Sequence, residues 1–266
     1  MISTTPKQTL LDDLARTLSE KSEPYAVATV IRAVGLTAAK PGAKAILNHE
    51  GAIIEGWIGG GCVRAALTKA TLKALADGAP QLISLAPAEA LAEMHVEAGA
   101  EVNGVRYAKN GCPSKGSLDI FLEPVLPMPE LFIYGQSPVA RALVSLAPRF
   151  DWMVQTVGSD MPVRALPQGA RRMIVVATQG KDDLACLVSA LATEAEHIAF
   201  VASRKKWASL SAKLAEAGLH AEDLARVQAP AGLAIDAVTP DEIALSILGQ
   251  LIQIRRSKQR EGLDHV

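Results

Sequence analysis

Several large classes of protein are excluded by what this chain has little of. Aromatic side chains make up only 4% of its 266 residues; alanine, leucine and valine dominate instead, which favours helices packed on sheets over an all-β sandwich. Its three cysteines, an odd number at unrelated spacings, do not form a disulfide framework. No apolar run reaches the roughly 18–20 residues a membrane-spanning helix needs. The opening Met1-Ile2-Ser3-Thr4-Thr5-Pro6-Lys7 has no apolar core of a secretory signal, so the cytoplasm is the expected compartment. A net charge of −1 gives no electrostatic case for nucleic acid or for an anionic membrane. Neither the cysteines nor His49, His95, His197 and His220 have zinc-site spacing. There is no nucleophile-elbow sequence and no Walker-type phosphate loop.

What remains is an ordinary globular composition, 49% apolar and 21% charged, in a chain long enough for two cores. Leu10, Leu11, Leu14 and Leu18 recur at helical spacing, and Pro24 closes that helix. Tyr25–Val34, Ala43–Leu47 and Ala52–Ile58 read as strands, the last two joined by the turn Asn48-His49-Glu50-Gly51. A helix follows from Val63 to Ala76. Asn103-Gly104 inside Glu101–Tyr107 is a hairpin signal, because Asn-Gly suits the two positive φ angles of a type I′ turn. Ser117–Val125 is a further strand. Leu126-Pro127-Met128-Pro129 then marks a stiff boundary, dividing residues 1–126 from 130–266.

Beyond the boundary short apolar strands (Leu131–Tyr134, Met153–Val157, Met173–Ala177, Ile198–Val201) alternate with helices over 138–147, 181–195 and 204–217. That alternation predicts right-handed βαβ units and a parallel sheet. Thr239-Pro240-Asp241-Glu242 caps a last helix, expected to run to Ile254 and leave a charged tail. The fold class is therefore α/β: a mixed α+β domain followed by a Rossmann-like domain.

Gly56-Trp57-Ile58-Gly59-Gly60-Gly61-Cys62-Val63-Arg64 is the most informative stretch. Three glycines between a strand and a helix admit backbone conformations closed to other residues and let a ligand approach the main chain. Their N–H groups, with the helix N-terminus, can form an anion site, and Cys62 in that first turn would be favoured as thiolate. The alternative is a glycine turn with Cys62 as a small hydrophobe. Arg64 adds positive charge. Cys112 stands among turn residues, Asn110-Gly111-Cys112-Pro113-Ser114-Lys115-Gly116, where Lys115 could lower its pKa; spacing alone leaves open whether the two cysteines meet. Cys186, in a helical Ala/Leu run, is expected in the core.

Gly135-Gln136-Ser137-Pro138 occupies the position of a dinucleotide-binding loop. Gly135 matches the first fingerprint glycine, whereas Ser137 and Arg141 replace the next two, so the backbone would crowd a pyrophosphate. Asp160 is the candidate ribose ligand, about 25 residues on against the usual 20 or so. Ser203, Arg204 and Lys205, with Lys206, open a helix with cations that oppose its dipole, a cost a bound phosphate would offset. A solvated basic cluster is the alternative.

Taken together, these blocks resemble the XdhC/CoxI family of molybdenum-hydroxylase maturation factors. The resemblance runs through Thr29-Val30-Ile31-Arg32, Pro41-Gly42-Ala43-Lys44, Gly59–Val63, Cys112, Leu118-Asp119-Ile120-Phe121-Leu122-Glu123-Pro124, Ser203–Lys206, Arg226, Pro230, Gly232-Leu233 and Thr239–Ala244. It implies an accessory protein, more a cofactor chaperone than a turnover enzyme. Such a protein binds molybdenum cofactor (pyranopterin), protects it while a cysteine desulfurase supplies its sulfido ligand, and delivers it to a molybdenum hydroxylase such as xanthine or carbon monoxide dehydrogenase. It also implies a homodimer. By that resemblance Cys62 contacts molybdenum or its sulfido ligand, Gly59, Gly60 and Gly61 hold the pterin phosphate, and Cys112 is the second thiol. The chain departs from the family at Gly135-Gln136-Ser137-Pro138, at Thr178-Gln179-Gly180-Lys181, at Asp236 and at Arg64. Two other readings stay open: an oxidoreductase using FAD or NAD(P) in cofactor or sulfur chemistry, and a protein–protein adaptor.

Overall fold

A computed structural model describes residues 6–113, 115–160, 165–166 and 169–261, for 6–9 and 258–261 the backbone alone. Two compact units divide the chain, the first made of the residues up to Pro127 together with those from Ser257 on, the second running Met128–Arg256.

The first unit opens with helix α1 (Pro6–Glu20) and strands β1 (Tyr25–Val34), β2 (Lys44–Leu47) and β3 (Ile53–Gly56). Helix α2 (Gly61–Asp77), β4 (Gln81–Ala86), the short helix α3 (Ala88–Glu93), β5 (Glu101–Val102), β6 (Val105–Lys109) and β7 (Ser117–Val125) follow. The strands form one mixed sheet in the order β3-β2-β1-β7-β4-β6-β5. Along β1, Ala26, Ala28 and Val30 face the same side and are buried with Leu118, Ile120 and Leu122 of β7 beneath Val63, Leu67, Ala70 and Ala74 of α2. The small side chains of β1 let the helix approach closely, in keeping with the period-2 pattern of a strand packed on one face. On the other side, Leu18 of α1 closes over Tyr25 and Ile46. At the hairpin between β5 and β6, Asn103 and Gly104 both take positive φ, 50° and 72°, the requirement of a type I′ turn.

The second unit comprises β8 (Glu130–Tyr134), α4 (Pro138–Leu146) with a 3-10 turn, β9 (Met153–Val157), β10 (Arg172–Val176), α5 (Asp183–Leu191) and β11 (His197–Phe200). It continues through α6 (Arg204–Glu216), α7 (Ala221–Ala225), β12 (Val227–Gln228) and α8 (Pro240–Glu261). All five strands are parallel, in the order β12-β11-β10-β8-β9. Counted within the unit this is 2-1-3-4-5, a doubly wound sheet whose topological switch lies between its first and third strands, β8 and β10. Every residue of β8 and β10 is buried, as a strand covered by helices on both faces requires. One face packs on α4 and α8, the other on α5 and α6.

Several sequence-based boundaries shift. Helix α5 covers Asp183–Leu191 rather than 181–195; it starts later because Asp182 takes positive φ, which the α-helix excludes. Helix α8 continues past Ile254 to Glu261, so the expected charged tail is largely helical; its last residues, 262–266, lie outside those described. Strand β3 stops at Gly56, whose φ of +85° turns the chain. No helix among the described residues is long and apolar enough to cross a membrane.

Candidate functional site

Backbone constraints build the loop around Cys62. A Cβ on Gly56 would stand 2.3 Å from the Lys44 carbonyl oxygen, so only glycine lets β3 end there against β2. Ile58 drops into the core and anchors the chain again. Gly59, at φ +134°, is pressed against Val63, whose Cγ2 would lie 2.7 Å from an added Cβ. Gly60 and Gly61 differ: nothing lies within 4 Å of where their Cβ atoms would be. They leave open space above the first turn of α2. Gly60 is the N-cap and offers no side chain to the helix amides, so those donors face that space. Cys62, half-buried and unbridged, sits in the same turn.

A second loop comes to this thiol. The buried Asn110 shapes it: its Nδ2 donates to the Gly116 carbonyl at 2.7 Å, and its Oδ1 accepts from the Cys112 N–H at 3.1 Å. The Asn110 N–H ties the loop to the end of β4 through the Ala86 carbonyl, 2.8 Å away. Gly111 is thereby held over Cys62, its absent Cβ position 3.4 Å from the Sγ. The question that spacing left open is thus answered at the level of the loops: the segments carrying Cys62 and Cys112 converge, and Cys112, half-buried and unbridged, is the next residue along.

Two expected neighbours are elsewhere. The Lys115 ammonium is paired with Glu89 at 2.7 Å, so its charge is engaged by a carboxylate instead of being held for the Cys112 thiol. Arg64 follows Cys62 by two residues, about 200° around the helix, and borders a separate recess beside β3. Among the described residues no group of three or more His, Cys, Asp or Glu side chains could hold a metal ion.

In the second unit a cavity of about 650 Å³ opens at the switch point, within the size range of small-molecule sites. Gly135, Gln136 and Ser137 after β8, Asp160 after β9, and Thr178 and Lys181 after β10 all line it. Gly135, at φ +101°, passes so close to β10 that a Cβ would meet the Ala177 carbonyl oxygen at 2.6 Å. The cradle therefore fits a nucleotide at its first glycine and at its acidic ribose position. It fits less well at Ser137, whose hydroxyl already accepts the Ala140 N–H at 3.1 Å as the N-cap of α4. Ser203, Arg204 and Lys205 do not line the cavity. Ser203 caps α6 by accepting the Lys206 N–H, and Arg204 and Lys205 point to solvent.

The sequence reading missed the anchor of this cavity. Buried Asp183 accepts from the Thr178 hydroxyl and the Gly180 N–H and pairs with Lys206 at 2.6 Å. Burial alone would raise its carboxyl; Lys206, Thr178 and Gly180 together hold it below the ordinary range. This carboxylate pins a loop in which Gln179, Gly180 and Asp182 all have positive φ, a costly arrangement that persists where surroundings enforce it. Its sequence signal was the Gly180-Lys181-Asp182-Asp183 run after a strand. Cys186 is buried, as expected, and also touches the cavity; burial, with Asp182 and Asp183 adding to it, pushes its thiol up.

Comparison with known proteins places both units. A family model described as "XdhC and CoxI family" matches residues 18–86, and one described as "XdhC Rossmann domain" matches residues 131–251. A curated protein of Escherichia coli (strain K12), the uncharacterized protein YqeB, is 26% identical over 270 residues, covering 91% of this chain and 46% of that protein. The chain thus spans less than half the length of that relative. A solved structure from Bacillus halodurans, described as a xanthine dehydrogenase, is 19% identical over 92% of this chain and 95% of that one, with a TM-score of 0.41.

Proposed function

This chain belongs to the XdhC and CoxI family, and on that premise we propose that it is a maturation factor that carries molybdenum cofactor to a molybdenum hydroxylase. The cofactor is cargo here, received while a cysteine desulfurase supplies its sulfido ligand. The observation that carries the reading is the meeting of two loops at one thiol: Gly60 and Gly61 leave room over the α2 amides, and Gly111 leaves Cys62 open. Unpaired amides at a helix start favour a phosphate, so Gly59, Gly60 and Gly61 would hold the pterin phosphate while Cys62 meets the metal or its sulfido ligand. Cys112, next to Gly111, is the second thiol. A homodimer is the expected assembly, tested by sedimentation.

The direct test is purification without oxygen followed by molybdenum and pterin analysis. Wild-type protein should retain cofactor, Cys62→Ala should lose most of it, and Cys112→Ala should weaken retention. Unchanged retention in Cys62→Ala removes that thiol from the role.

The cavity at the switch point favours a second reading, a site for FAD or NAD(P) serving an oxidoreductase step in cofactor or sulfur chemistry. A bound flavin would supply one- or two-electron transfer there, and a bound nicotinamide hydride transfer, while Asp160 would orient the ribose. Mass analysis of extracted nucleotide checks it. Because a side chain at Gly135 would disturb β10, Asp160→Asn is the cleaner variant: it should reduce bound nucleotide and leave the thermal midpoint in place.

A further inference from the structure

The seven-stranded sheet ends on β3, and among the described residues no strand pairs with that strand's outer side. Beside it, toward the first turns of α2, lies a recess of about 430 Å³ lined by Gly51, Ile54, Glu55, Gly56, Arg64 and Thr68. One end is closed where the turn before β3 rests on the helix. There Thr68 Oγ1 donates to the Gly51 carbonyl at 2.9 Å, and a Cβ on Gly51 would come as near to the Thr68 backbone.

An open strand edge is a template for another extended chain, and proteins commonly blunt such edges with lysine or proline. Strand β3 reads Ile53-Ile54-Glu55-Gly56 and has neither. Ile54 is 40% exposed and Trp57, at the exit of the strand, 50%. Glu55 turns back, accepting the Gly56 N–H at 3.0 Å.

Charge indicates what the edge receives. Four arginines precede Pro127. Arg16, Arg32 and Arg106 each sit on a carboxylate. The Arg64 guanidinium alone makes no ion pair or hydrogen bond among the described residues, and it borders the recess. Arginine matches a carboxylate with paired donors, and aromatic and arginine side chains dominate the energetics of docking surfaces.

We propose that this recess binds an extended acidic segment of a partner polypeptide, added as a strand to β3 with a carboxylate on Arg64. Apolar side chains of the segment would rest on Ile54 and Trp57. Four residues of β3 span about 13 Å, enough to pair three or four residues of the incoming strand. Since Trp57 lies two residues before Gly59, a docked chain ends beside the glycine loop. The inference holds whatever that loop carries.

The probe is a dye-labelled ten-residue peptide of alternating valine and threonine with one central glutamate, titrated with the full chain and read by fluorescence anisotropy. Saturable binding is expected. Arg64→Glu should weaken it at least tenfold and should regain binding when lysine replaces the glutamate of the probe. A proline at the centre of the probe should abolish binding, because it removes a ladder hydrogen bond, and Ile54→Lys should weaken it. Equal binding of glutamate and lysine probes to wild type overturns the proposal. So does the absence of binding by a chain with native circular dichroism. If the wild type sediments as a dimer that Arg64→Glu or Ile54→Lys dissociates, a second copy holds the edge and the proposal also fails. Cofactor retention is not the readout, so failure here is distinct from failure of the Cys62 test.

Discussion

The carbon that Gly111 lacks would stand 3.4 Å from the Cys62 Sγ, an ordinary contact distance, so alanine fits there and anything longer covers the thiol. Gly111→Val is expected to slow reaction of Cys62 with a disulfide reagent several-fold, measured in a Cys112→Ser background, with little change in the thermal midpoint. A reaction rate equal to that of the parent would mean that the loop does not stand over the thiol. Gly59 responds differently, because its φ of +134° and the 2.7 Å approach of Val63 leave no room. Gly59→Ala should cost about 1–3 kcal/mol, read by urea denaturation. These glycines look alike in sequence; the backbone around each decides which one is structural and which one leaves space.

Between elements, the most deeply buried ion pair among the described residues of the second unit ties β8 to β10. Glu130 and Arg172 pair at 2.6 Å with 1% of each side chain exposed, and the guanidinium lies 4.5 Å from the centre of the Phe132 ring. Removing one partner strands a buried charge, so Glu130→Ala should lose about 3–5 kcal/mol of stability, whereas the apolar double variant Glu130→Leu/Arg172→Met should fall close to wild type. Equal losses in the two would contradict the pairing. On the C-terminal side of the same strands, Asp183→Asn should loosen the Thr178–Asp182 loop and raise amide exchange there, since one charged anchor holds all of its positive-φ residues. Strand β4 belongs to this scale as well. Gln81–Ala86 carries little β-branched character and lies between Pro80 and Pro87, so periodicity did not single it out. Its place between β7 and β6, in register with both, makes it a strand: tertiary pairing overrides a weak local preference.

For the whole molecule, the dependence of stability on pH follows from two groups, the half-buried His197 and the buried Asp183. Burial pushes the His197 imidazole below its ordinary 6.5, against smaller raising effects of Glu196 and Gln250, and Asp183 lies below its ordinary 3.8. Each folded-state value is lowered, so the native chain binds fewer protons than the unfolded one. The stability is complete above the unfolded pKa and lost as pH falls through the folded one. Unfolding free energy should therefore decline in two steps on acidification, the first beginning near pH 6.5 and the second near 3.8. His197→Phe should remove the first step; a wild-type profile already flat between pH 7 and 5 would count against it. The residues alone determined the α/β class, the break near Pro127, the hairpin at Asn103-Gly104, the helix that follows the glycine loop and the likeness to the XdhC and CoxI family, because turn chemistry, periodicity and motif order act over a few neighbouring positions. Only the tertiary structure decided that Gly111 comes to Cys62, that Lys115 answers Glu89, that Arg64 faces the β3 edge, and that Asp183 and Lys206 hold the cavity loop. Those partners lie from 8 to 49 positions apart in the chain, and their meeting depends on strand order and helix rotation, which no local pattern specifies.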